Sequence, residues 1–174
     1  MNRVRIPPGF RLESLRRDHP RGSFQCGAPK VEQWLWSNAL QQQEKHLSAT
    51  SALIGPDGEI AGYYTLASGR IDFGELPAEI SRRLPRRMLP VAVLAWLGVS
   101  TEHQGQGLGR VLLAQALTDC FEASQTFAFV AVTVDCVDAE SKSFFQHWQF
   151  EELPGRPMRL FLSAKRLAAM MQSA

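Results

Sequence analysis

A chain of 174 residues, 45% hydrophobic and 21% charged, is long enough to bury one sizeable core and too short to call for two, so a single domain over residues 1–174 is expected. This composition excludes a disordered or coiled-coil chain, and a formal net charge of +2 does not by itself point to nucleic acid. The longest apolar run, residues 91–99, is too short to span a bilayer, and residues 1–9 lack a signal-peptide core, which together predict no membrane association and a cytoplasmic protein.

In chain order, Phe10, Leu12 and Leu15 alternate with polar residues and predict a first strand over residues 10–15. Pro29 then opens an amphipathic helix over residues 30–43, with Val31, Trp34, Leu35, Asn38 and Ala39 at helical spacing. Residues 49–54 and 59–68 read as a hairpin around the turn Gly55-Pro56-Asp57-Gly58. Alternation sends Tyr63 and Tyr64 to opposite faces, so at most one reaches a central cleft and the other packs or faces solvent. Residues 71–90 are polar and basic and read as a surface excursion with a short helix at 78–84.

The second half is more regular. Residues 91–99 form a buried strand, residues 108–123 a helix and residues 127–134 a continuous Phe/Val-rich central strand. Asp138 caps a helix reaching Trp148, residues 150–153 and 158–162 make two closing strands, and residues 167–171 form a short apolar tail. Cys26, Cys120 and Cys136 have no metal-like spacing, so reduced thiols and no metal site are expected. His46, His103 and His147 are isolated and read as surface or packing residues.

Between the strand at 91–99 and the helix from Leu108 lies Gln104-Gly105-Gln106-Gly107-Leu108-Gly109-Arg110. Glycines at this spacing let the backbone curl and approach a ligand closely. The first N–H groups of the following helix have no partner inside it, and the macrodipole adds partial positive charge, so a phosphate or diphosphate is the fitting guest. A P-loop is excluded, because Gly109 is followed by Arg110 and Val111 rather than Lys and Ser/Thr. A dinucleotide fingerprint is excluded too, because its glycine spacing and downstream acidic residue are missing.

The Q/R-x-x-G-x-G/A pattern at a strand-to-helix junction resembles the acyl-CoA motif of the GNAT family of N-acetyltransferases. That resemblance implies an α/β fold whose mixed sheet is splayed at its centre and flanked by helices, with acetyl-CoA as cosubstrate. It implies that Leu97, Gly98 and Val99 line the pantetheine arm and that residues 104–110 hold the diphosphate. Three further segments, Phe24-Gln25-Cys26-Gly27 with Val31-Glu32-Gln33-Trp34-Leu35, Gly62–Ser68 in the second hairpin arm, and Pro90-Val91-Ala92-Val93-Leu94, resemble GNAT toxins of type II toxin–antitoxin systems. The likeness runs from about Leu12 to Leu162. It implies acetylation of the α-amine of an aminoacyl-tRNA, a ribbon-helix-helix antitoxin as partner and a homodimer.

Two basic stretches, Arg82, Arg83, Arg86 and Arg87 in the excursion and Arg16, Arg17 and Arg21 near the start, are candidates for phosphate contacts; the first is the candidate substrate-binding run. A solvated face is the alternative for both. At the catalytic end, the toxins supply a proton donor to the departing thiolate from the tyrosine of F-Y-x-x-F-G-F. Here the stretch is Phe144-Phe145-Gln146-His147-Trp148-Gln149-Phe150, so Phe145 stands at the tyrosine position and Gln149 at the glycine. Ser141, one helical turn before Phe145, and Tyr64 are the candidate replacements, beside a donor-free or water-assisted transfer. Three readings therefore stand: an active aminoacyl-tRNA acetyltransferase, a weakened CoA-binding module acting through a partner, and a small-molecule amine acetyltransferase.

Overall fold

The computed structural model describes residues 4–173. Seven strands, β1 (Arg11–Ser14), β2 (Ala49–Ile54), β3 (Ile60–Asp72), β4 (Met88–Val99), β5 (Ala131–Asp135), β6 (Glu151–Leu153) and β7 (Arg156–Ser163), form one mixed sheet in the order β1-β2-β3-β4-β5-β7-β6. β1 with β2, β2 with β3, β5 with β7 and β6 with β7 pair antiparallel, and β4 pairs parallel with β5. A parallel pair needs a long crossover, and α4 (Leu108–Ser124) lies in it. The other helices are α1 (Pro29–Gln33), α2 (Ala39–Glu44), α3 (Ala78–Ser81), α5 (Ala139–His147) and α6 (Ala164–Gln172).

The chain forms two compact units, one from the chain up to Ala67 with Leu94–Asp119, the other from Ser68–Val93 with the chain from Cys120 onward. In the first, Leu15, Phe24, Val31, Leu35, Ala39, Ala52, Ile54, Ile60 and Tyr63 make a buried cluster. Gly98 lets α1 lie close on β4, since a Cβ there would sit 2.6 Å from Val31 Cγ1; at Gly62 it would sit 2.7 Å from Leu112 Cδ1 of α4. In the second, Ile71, Leu76, Leu89, Val91, Ala131, Leu153 and Phe161 form the core. The parallel pairing couples Val91, Ala92 and Val93 to Ala131, Val132 and Thr133.

Four expectations are corrected. The helix at 30–43 is interrupted by a π-helical turn, Trp34–Asn38, between α1 and α2. The pattern hides it because Val31, Leu35 and Ala39 keep an i, i+4 buried series straight through the turn. The turn serves both indoles: Trp34 Nε1 donates to Thr65 Oγ1 (3.1 Å) and Trp36 Nε1 to the Phe24 carbonyl (2.9 Å).

The central strand begins at Ala131 rather than 127, because Phe127 N–H bonds the Ala123 carbonyl and closes the end of α4, leaving the Phe127 ring 79% exposed. Residues 71–90 are less of an excursion than expected, since β3 runs on to Asp72 and β4 starts at Met88. The apolar tail is a capped helix, α6, with Ser163 Oγ accepting from Arg166 N–H and Leu167 and Met170 buried.

Candidate functional site

The glycine loop leaves β4 with its geometry fixed by polar groups. Gly105 (φ +80°) and Gly107 (φ +78°) occupy the left-handed region, where an added Cβ would meet nothing within 4 Å. These glycines are therefore required by backbone conformation, not by crowding. Residues 104–107 and Arg110 are exposed, while Leu108 is buried as the first residue of α4. With its first-turn N–H groups and the dipole of a 17-residue helix, the loop has the make-up of an anion cradle.

The side chain of Gln104 has another task. Its amide donates to the carbonyls of Cys26 (2.9 Å) and Val99 (3.0 Å), so the loop is stapled to the end of β4 and to the segment before α1. What residues 104–110 offer a ligand is backbone N–H groups, the exposed Gln106 side-chain amide and the Arg110 guanidinium.

Leu97 and Val99 are half-buried although β4 is the middle strand of seven. Ser100 N–H bonds the Ala61 carbonyl of β3 at 2.8 Å, so alternation turns the peptide groups of Val99 and Leu97 away from β3. Half-exposed residues on a central strand, with peptide groups aimed off the ladder, can pair with an extended amide-containing ligand.

Each candidate proton donor is engaged elsewhere. Both tyrosines of β3 are buried and hydrogen-bonded inside the fold. Tyr63 donates to the Val31 carbonyl, and Tyr64 donates to Asp119 Oδ2 of α4, each at 2.5 Å. Burial pushes the Tyr63 phenol well above the ordinary tyrosine range, which keeps it a donor. Ser141 completes the cap of α5: its N–H donates to Asp138 Oδ1 (2.8 Å), and its hydroxyl donates to the Asp138 carbonyl (2.9 Å) and accepts from Asp138 N–H (3.2 Å). That hydrogen-bonded carboxylate is held below its usual range, chiefly by the Ser141 N–H.

Phe145 is buried at 6% exposure, edge-on to Phe144 (5.2 Å) and Phe150 (5.5 Å). The ring is built into a packed aromatic cluster. Gln149 lies in the left-handed region that favours glycine, at φ +70°, and accepts from Arg166 Nη1 (3.3 Å). The turn after α5 is closed by the Trp148 and Phe150 N–H groups, both on the Phe145 carbonyl.

The two basic stretches differ. Arg16 pairs with Glu13 and Asp18, and Arg17 with Glu44, so that stretch is largely neutralised. Arg82, Arg83, Arg86 and Arg87 are all exposed, and no carboxylate pairs with them among the described residues; Arg86 lies over the Phe73 ring at 5.9 Å. Among the described residues no group of three or more His, Cys, Asp or Glu is placed to hold a metal, and no helix is long and apolar enough to cross a membrane.

The family model for the acetyltransferase (GNAT) family matches residues 12–150. The chain belongs to the GNAT acetyltransferases. Its relatives include the tRNA-acetylating toxin of Mycobacterium tuberculosis, 32% identical over 151 residues, covering 86% of this chain and 89% of that protein. A probable toxin TacT of Sinorhizobium fredii is 25% identical over 162 residues, covering 88% and 90%.

Similar solved structures include AtaT complexed with acetyl-methionyl-tRNAfMet, with a TM-score of 0.85, 23% identity and coverage of 93% of this chain and 99% of that one. AtaTR bound with AcCoA gives 0.82, 24%, 94% and 98%. These likenesses establish the GNAT fold expected from residues 104–109.

Proposed function

We propose that this GNAT protein transfers acetyl from acetyl-CoA to the α-amine of an aminoacyl-tRNA, as the toxin of a cytoplasmic toxin–antitoxin pair with a ribbon-helix-helix antitoxin. The observation that carries the reading is the resemblance across 86% of the chain to a tRNA-acetylating toxin, joined to the preformed loop at residues 104–110. The family match spans parts of both compact units, which supports reading them as one domain. Homodimer formation belongs to the same proposal. In it, residues 97–99 carry the pantetheine arm, residues 104–110 the diphosphate and the exposed Arg82, Arg83, Arg86 and Arg87 the tRNA backbone.

The chemistry asks little of a base. An α-amine has a reference pKa of about 7.7–8.0, so a useful fraction is neutral at pH 7, and positioning supplies most of the acceleration. The neutral amine attacks the thioester carbonyl, the C–S bond breaks, the CoA sulfur leaves as thiolate and the new amide nitrogen gives up one proton to water. With a thiol pKa near 8.5, that thiolate is a tolerable leaving group without an enzymic acid. Phe145 brings no proton, and Tyr64 and Ser141 hold theirs for the structure, which supports donor-free or water-assisted departure.

The test is release of free thiol from acetyl-CoA with a panel of charged tRNAs, with N-acetyl-aminoacyl-tRNA as product; no turnover above background sinks it. Phe145 favours one second reading, a CoA-binding module of weakened activity acting through a partner. That reading requires CoA binding without turnover.

A further inference from the structure

The turn just ahead of the glycine loop holds a polar relay. His103 Nε2 lies 3.1 Å from Glu59 Oε1, and His103 Nδ1 lies 2.7 Å from Ser100 Oγ. The ring meets Phe10 edge-on at 5.7 Å, and the His103 N–H closes the turn on the Ser100 carbonyl at 2.9 Å. A carboxylate opposite Nε2 puts the imidazole proton there, so Nδ1 accepts from the Ser100 hydroxyl.

Both ends of the relay are anchored. Ser100 is buried and bound through its N–H to Ala61. Glu59 lies in the β2–β3 turn, where its other oxygen accepts from Asp57 N–H at 2.9 Å. Gly55 admits that carboxylate: a Cβ at residue 55 would stand 1.9 Å from Glu59 Oε1. The imidazole thus ties the hairpin turn to the end of β4 one residue before Gln104.

We propose that His103 is a positioning residue, which through Glu59 and Ser100 holds residues 104–110 in their anion-binding form before any ligand arrives. This rests on the reading of that loop as the CoA diphosphate site. Residues 104–107 are exposed, and glycines at residues 105 and 107 allow many alternative conformations, so polar staples must supply the order. Preorganisation of that kind raises affinity by removing the ordering cost from the binding step.

The test compares the full-length wild type with His103→Leu, which breaks both bonds, and His103→Gln, which keeps a donor for Glu59. Hydrogen exchange of the ligand-free proteins is read at the amides of residues 105–110 against those of β2 and the centre of α4. Calorimetry then measures binding of CoA and of pantetheine, which lacks the diphosphate. The expected result is exchange about tenfold faster at residues 105–110 in His103→Leu alone, with the reference amides unchanged. CoA affinity falls about tenfold, pantetheine affinity holds, and His103→Gln is intermediate.

Unchanged exchange at residues 105–110, or equal losses for CoA and pantetheine, overturns the proposal. A wild type that binds no CoA would remove the reading of the loop, while the exchange comparison would still decide whether His103 orders it. Should His103→Leu fail to fold, His103→Gln against the wild type carries the same comparisons.

Discussion

Gln104 donates its side-chain amide to the carbonyl of Val99 at 3.0 Å, so the glutamine that opens the glycine motif is bound to the last residue of the strand before it. The same amide reaches the Cys26 carbonyl. Removing both bonds in Gln104→Ala is expected to cost about 1–3 kcal/mol of loop order. Acetyl-CoA should then bind about fivefold to about 150-fold more weakly in calorimetry, with the fold intact by circular dichroism. Gln104→Glu should be worse, because it sets a carboxylate against two carbonyls; binding equal to wild type in both variants would leave Gln104 without this role.

Phe145 concentrates the catalytic question. A phenolic hydroxyl there would restore the residue type of the toxin pattern, and a positioned acid is worth about 10²–10⁴-fold. Phe145→Tyr is therefore expected to raise kcat for acetyl transfer with little change in the KM for acetyl-CoA. Phe145→Ala, which empties the contacts to Phe144 and Phe150, should lose about 3–5 kcal/mol of stability in urea unfolding. A tyrosine variant no faster than wild type would show that proton donation from this helix does not limit the reaction.

The readable parts of this fold were those written in local pattern. The glycines at 105, 107 and 109, the Asp138 cap and the apolar run at 91–99 each announce their structure through a few neighbouring residues. What stayed hidden depends on partners far along the chain. Tyr64 stands as a candidate donor in the sequence until Asp119, 55 positions away, accepts from its hydroxyl, and Gln104 reads as a ligand contact until Cys26, 78 positions away, accepts from it. His103 reads as isolated for the same reason, since Glu59 comes to it from another turn. The π turn escaped because its apolar series looks α-helical throughout.

Arg82, Arg83, Arg86 and Arg87, which have no carboxylate partner among the described residues, are in the proposed function the cations that meet tRNA phosphates. Each Arg→Ala change should weaken tRNA binding similarly for all tRNA sequences and lower the slope of log K against log salt by about 1. Arg16→Ala and Arg17→Ala, whose cations already have carboxylate partners, should change the slope much less. A small amine acceptor should be acetylated equally well by all variants; loss of that activity together with tRNA binding would place the arginines in the fold rather than at an RNA surface.

Gln149 holds a left-handed conformation that costs a side-chain-bearing residue about 1–2 kcal/mol, against about 0.4–1 kcal/mol for the added freedom of an unfolded glycine. Its exposed bond to Arg166 offsets little of that difference. Gln149→Gly is expected to stabilise the protein by about 0.5–1 kcal/mol, read as a shift of the denaturant midpoint at constant m. A destabilised variant would mean that the Gln149–Arg166 contact holds α5 and α6 more firmly than its length and exposure imply.

Glu13 gives the acid side of the stability profile a defined origin. Arg16 N–H donates to His19 Nδ1 at 2.9 Å, which leaves the proton on Nε2 to be donated to Glu13 Oε2 at 2.8 Å. That bond first, and then the Arg11 guanidinium, hold the Glu13 carboxyl down at about 2 from an ordinary 4.5. Because the folded value is depressed, the charged carboxylate stabilises the fold above the unfolded pKa, and this contribution drains away as pH falls from about 4.5 to about 2. Melting temperatures of wild type and Glu13→Gln should therefore differ by a constant amount at neutral pH and converge across that window. A gap that persists at the acid end would assign the effect of Glu13 to packing rather than to its charge.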